Sequence, residues 1–180
     1  MKILIISYFF YPEITPRATR AYNLYMELAK QGHDVSVLTC ENELIRISGE
    51  NIHLVKPGFL LNRKKRFNPV KQGLNKNSRV NSFYILQSIL NFYNKLFGGR
   101  TLESSICMIW WFYRRKSRDY DTVISIGIPF ASHLAAVIAK RMGFLKSRSL
   151  ILDYGDPYSK NVHMNMFFTA RWLEKWVLKK

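Results

Sequence analysis

The sequence predicts an α/β fold: a parallel sheet with helices on both faces. Three observations lead there. Ile3-Leu4-Ile5-Ile6-Ser7 is a β-branched apolar run, followed by an amphipathic segment from Ala18 to Lys30. Gly32-His33 closes that segment and Asp34–Thr39 is a second apolar strand. A second strand-helix-strand unit recurs near the end of the chain, at Tyr120–Ile126, Phe130–Met142 and Ser149–Leu152. Short strands apolar at consecutive positions are the pattern of a sheet covered on both sides. The crossover rule makes each such unit parallel and right-handed. Ligands of these sheets bind beyond the carboxyl ends of the strands. Function is therefore sought first in the loop Ser7–Arg17.

The remaining elements follow in order. Tyr11-Pro12-Glu13-Ile14-Thr15-Pro16-Arg17 is turn-rich and reads as the loop after the first strand. Asn51–Val55 is a third strand, stopped by Pro57-Gly58. Phe59–Asn81 has many charges and few periodic apolar positions, and reads as a loop. Ser82–Phe97 carries Leu86, Ile89, Leu90, Tyr93, Leu96 and Phe97 on one helical face, and Gly98-Gly99 ends it. Leu102–Arg118 is another helical run, with Ile106, Ile109, Trp110 and Tyr113 along a stripe. Asn165–Lys180 is the last helix. The chain of 180 residues is read as one domain, 1–180, with 57–118 as a basic and aromatic variable region.

Net charge is +16, and most of the excess is concentrated. Leu60–Arg118 holds thirteen basic residues and one acid, Glu103. The basic run Arg63, Lys64, Lys65 and Arg66 precedes Trp110, Trp111, Arg114 and Arg115 on the second helix. Basic residues interleaved with aromatic rings suit an anionic lipid surface, where rings sit at headgroup depth. The plain alternatives are a solvated charge run and a core helix whose rings pack on the sheet. No apolar run approaches the ~18–20 residues that span a bilayer. The N-terminal run resembles a signal peptide in charge and hydropathy, but it lacks a small-residue cleavage site and reads as a strand. The two cysteines, Cys40 and Cys107, have no metal-ligand or CxxC spacing and read as free thiols. No metal site is expected.

"KILIISYFFYP", "NLYMELAKQGHDVSVLT", "YDTVISIGIPFASHLAAVIAKRMG" and "LILDYGDPYS" together resemble the N-terminal domain of the family 4 retaining glycosyltransferases. The resemblance covers nearly the whole chain. It implies a Rossmann-like domain, the first of two that face a cleft, here without its closing strand. It implies a nucleotide-sugar donor, no other cofactor, and a lipid-linked acceptor in bacterial surface-polysaccharide synthesis. The enzyme would work in the cytoplasm, peripheral to the inner face of the membrane. The family's donor-binding Arg/Lys pair and E-x7-E pattern belong to its second domain. Residues 1–180 alone are thus expected to turn over little or no sugar without that domain or a partner chain.

Within the crevice, Pro16, Arg17 and Arg20 are candidates for phosphate contact at the start of the first helix. The family has small residues or glycine there, and this chain has no glycine in Thr15–Arg20. Gly127 and Pro129 form the turn after the central strand. His133 lies in the first turn of the next helix, and in the family a histidine near this point faces the cleft and contacts sugar. Asp156, before Pro157, is favoured over Asp153 as a hydroxyl acceptor or base, the plain alternative being a turn residue. Two other readings remain at this stage. One is nucleic-acid binding, for which no helix-turn-helix, RRM, KH or zinc motif is present, so no nucleic-acid partner is expected. The other is a non-catalytic Rossmann-like partner subunit.

Overall fold

The computed structural model describes residues 1–41, 51–56, 101–115, 119–127, 130–155 and 168–179. The expected loop Phe59–Asn81, the helix Ser82–Phe97, the basic run Arg63–Arg66, Pro129 and Asp156 lie outside the described residues. The described residues form, in order, β1 Lys2–Ser7, α1 Pro16–Lys30, β2 Asp34–Cys40, β3 Ile52–Val55, α2 Thr101–Arg114, β4 Asp119–Ile126, α3 Ala131–Arg141, β5 Lys146–Asp153 and α4 Phe168–Leu178.

The strands form one five-stranded sheet in the order β3-β2-β1-β4-β5. Every pair is parallel. The order reverses between β1 and β4. From β1 the chain builds outward through β2 to β3, and from β4 it builds the other way to β5. Such a reversal opens a crevice at the carboxyl edge, because the loops on either side leave in opposite directions.

Strand alternation assigns each residue to a face. Ile3, Ile5, Val35 and Val37 pack with Phe10 and Ala21, under Tyr22, Tyr25 and Leu28 of α1. Leu4, Ile6, Leu38 and Val123 face the other way, onto Met108 and Phe112 of α2 and Ala131, Ala135 and Ala139 of α3. β1 is thus apolar at successive positions because both its faces are covered. Each such side chain contributes about 1.5–3 kcal/mol of burial free energy. The alanines of α3 let α2 lie close beside it, and Ser105 Oγ donates to the Ala131 carbonyl at 3.1 Å. α4 closes the end of the layer, with Val177 against Phe130, Leu134 and Val137.

α1 begins two residues before the expected Ala18. Thr15 is extended, at φ −125° and ψ 151°, and its Oγ1 accepts from the Ala18 N–H at 3.2 Å. Pro16 follows at the first helical position, where its fixed φ suits the helix and its missing N–H has no cost. The Thr-Pro pair is therefore a helix start rather than part of the loop. Replacing Thr15 with alanine is expected to cost about 1 kcal/mol, read from the midpoint of chemical denaturation. Gly32 ends the helix at φ +80°, a left-handed conformation that glycine adopts without strain. β5 is longer than the expected Ser149–Leu152. Its polar first residues Lys146 and Ser147 pair with Asp119 and Tyr120, so backbone pairing extends the strand past its apolar part. Cys40 and Cys107 are free thiols.

Candidate functional site at the carboxyl edge of the sheet

Three strands deliver their last residues to one edge. β1 ends at Ser7, whose Oγ donates to the Phe9 carbonyl at 2.7 Å and turns the chain. Thr39 Oγ1 donates to the Tyr8 carbonyl at 3.2 Å, which ties the start of this loop to β2. β4 ends at Ile126, and the Gly127 N–H donates to the Asp153 carbonyl at the end of β5 at 3.1 Å.

Asp153 is the meeting point of these elements. Its carboxylate pairs with the Arg20 guanidinium at 2.8 Å. Arg20 comes from α1 on one face of the sheet, and His133 comes from α3 on the other. Both reach the carboxyl edge beside Asp153 and Gly127. Arg20 is 61% exposed and Asp153 20%, so the cation stands at the rim and the carboxylate lies deeper. Pro16 and Arg17 occupy the first turn of α1, on the same edge.

His133 is 1% exposed. Its Nδ1 lies 2.8 Å from Ser125 Oγ, its ring stacks on Tyr154 at 5.2 Å, and Phe130 meets it edge-on at 5.8 Å. Nε2 has no hydrogen-bond partner. A Cβ on Gly127 would fall 2.6 Å from that nitrogen, so the imidazole fits only because residue 127 has no side chain. Burial lowers the His133 pKa to about 4, an effect that the Asp153 carbonyl opposes more weakly. The ring is therefore neutral near pH 7. A carbonyl rather than a donor stands beside Nε2, so the tautomer with its proton on Nε2 fits both neighbours, and the Ser125 hydroxyl donates to Nδ1. In that state the histidine is a hydrogen-bond donor and not a base.

Tyr154 extends the polar column, donating from its hydroxyl to the Glu174 carboxylate on α4. Glu174 is 8% exposed, so this bond satisfies a carboxylate largely removed from water. Chemically, the edge offers a rim cation, a partly buried carboxylate bound to it, and the positive end of the α3 dipole.

The structure thus brings Arg20, Gly127 and His133 together. Trp110, Trp111, Arg114 and Arg115 lie apart on α2, whose last residues lead toward the start of β4 and so lie toward the opposite edge. Asp153, Ser125, Tyr154 and Glu174 were not singled out as site residues by sequence reasoning. Ser125 carries a signal in retrospect, as a polar residue between the apolar Ile124 and Ile126 at the end of β4. Tyr154 and Glu174 carry none, because each takes part only through contacts made across the fold. Among the described residues, no group of three His, Cys, Asp or Glu is placed to hold a metal ion. No described helix is long and apolar enough to cross a membrane.

No family model matches this chain. Comparison with curated proteins likewise finds no match. The fold and the edge geometry carry the functional argument.

Proposed function

We propose that the chain is the acceptor-side domain of a retaining glycosyltransferase. It would move a sugar from a nucleotide-sugar to a lipid-linked saccharide in bacterial surface-polysaccharide synthesis. The observation that carries this reading is the convergence of Arg20, Asp153, Gly127 and His133 at the order reversal of a parallel sheet. The resemblance of the two strand-helix-strand stretches supports it. Arg20, with Arg17 on the turn before it, is the group for a diphosphate, since a guanidinium binds phosphate oxygens in a fixed fork. Gly127 gives the imidazole room at the floor of the crevice. His133 stands behind Gly127 and holds its position, while Asp153 accepts from a hydroxyl once Arg20 engages phosphate. On this reading a second, donor-binding domain, in the same or another chain, supplies the rest of the donor site.

Titration of the isotope-labelled protein with a nucleoside diphosphate tests the reading. Amide shifts are expected at Arg20, Gly127 and Asp153, and Arg20→Ala should weaken binding about tenfold, the loss of one charge-assisted contact. Unshifted amides at all three positions, or unchanged affinity in Arg20→Ala, would reject it. Sustained sugar turnover by residues 1–180 alone would reject the need for a second domain.

A further inference from the structure

The helix α2 has two unlike sides. Ser104, Ser105, Met108 and Phe112 are buried against α3 and the sheet. Ile106, Trp110 and Tyr113 point outward and are 61%, 53% and 54% exposed. At 3.6 residues per turn these three lie within about 60° of arc, so they form one apolar strip along the helix. The rings of Trp110 and Tyr113 stack on each other at 5.3 Å, and the Arg114 guanidinium lies 5.2 Å over Trp110. Arg115 sits 5.1 Å over Trp111, which is itself half-buried against His53. Water is a poor environment for such a strip, and isolated exposed apolar residues are common where a contiguous row is not.

We infer that this face of α2 docks on an anionic bilayer surface. The occupant is argued from charge and chemistry. The stretch Leu60–Arg118 carries thirteen basic residues against Glu103 alone, and Arg114 lies over the exposed Trp110 ring with Arg115 next to it in the chain. Cations that flank aromatic side chains fit headgroup phosphates above an acyl boundary. Ile106, Trp110 and Tyr113 enter the interface, and Arg114 and Arg115 pair with the phosphates. Trp111 stays with the protein, so the two adjacent tryptophans have different tasks.

The placement also orients the crevice. α2 is fourteen residues long and spans about 21 Å. Its first half is bonded to the amino end of α3, which starts at the crevice. A helix lying flat on the bilayer therefore brings the carboxyl edge of the sheet to headgroup level. This inference stands on α2 and does not require sugar transfer.

The test is sedimentation of the protein with vesicles, either phosphatidylcholine alone or phosphatidylcholine mixed with phosphatidylglycerol, over a salt series. Binding to the anionic vesicles only, weakening with salt, is expected. Trp110→Ser with Tyr113→Ser should lower partitioning about tenfold or more, since two interfacial rings are lost. Trp172→Ser is the comparison, because Trp172 on α4 is also exposed, at 65%, and lies outside the strip. It should bind as the parent does. Circular dichroism and denaturation midpoints establish that each variant is folded. Equal binding to uncharged vesicles, absence of binding, an unaffected double variant, or equal loss in Trp172→Ser would each overturn the assignment. Stronger binding to single-stranded RNA than to vesicles would give the face to nucleic acid instead. None of these outcomes bears on the nucleotide titration, which needs no lipid.

Discussion

Alanine at position 127 will lower the stability of the protein by about 2 kcal/mol, within the ~1–3 kcal/mol range of overpacking. The new Cβ would stand 2.6 Å from His133 Nε2 and 3.3 Å from the Asp153 carbonyl. The first distance is far inside van der Waals contact, so something must move. The imidazole has little room to do so, held by Ser125 at 2.8 Å on one side and stacked on Tyr154 on the other. The Asp153 carbonyl is fixed by the Gly127 N–H. For a protein of this size the loss corresponds to a fall in melting temperature of about 4–8 °C. The double variant Gly127→Ala, His133→Ala removes the obstacle and should be more stable than the sum of the two single changes predicts. Additive effects, or an unchanged midpoint in Gly127→Ala, would mean that the glycine and the histidine do not touch. Loss of nucleotide shifts in Gly127→Ala would further tie the packing of this turn to ligand binding.

The sheet was legible in the sequence because its strands carry the covered-on-both-faces pattern without a break. Ile3 to Ile6 cannot place all their side chains on one side, so the run itself calls for two layers of helix. Gly127 and His133 were legible for a related reason: a turn and helix after a central strand have only one edge to occupy. Asp153 was less so. Local chemistry favours Asp156 before its proline, which lies outside the described residues, whereas the ion pair of Asp153 joins it to Arg20, remote in the chain and brought near only by the folded sheet. The aromatic run of α2 marks a similar boundary. A helical stripe groups Ile106, Ile109, Trp110 and Tyr113, yet Ile109 packs on the core and Trp110 does not. What separates them is where α3 lies, and the alanines that set that distance are distant in sequence.

Acid will destabilise the protein through His133 well before most carboxylates are protonated. The folded-state pKa is about 4, against an ordinary 6.5, with desolvation as the main cause. As pH falls, the unfolded chain takes up the proton first, so protonation favours unfolding. The contribution of the neutral ring is complete above about pH 6.5 and is lost progressively as pH falls toward the folded pKa near 4. Between about pH 7 and pH 5 the loss comes to about 2 kcal/mol, and over the whole window to about 3 kcal/mol. The measurement is the denaturation free energy against pH for the parent protein and for His133→Gln. The variant keeps Asp153, Glu174 and Arg20, so their titration cancels in the difference between the two curves. Glutamine has no proton to gain in this range, and its curve should be flatter by that amount even if it starts lower. Parallel curves would mean that His133 titrates alike in the folded and unfolded chain, open to water, and the buried neutral donor would have to be given up.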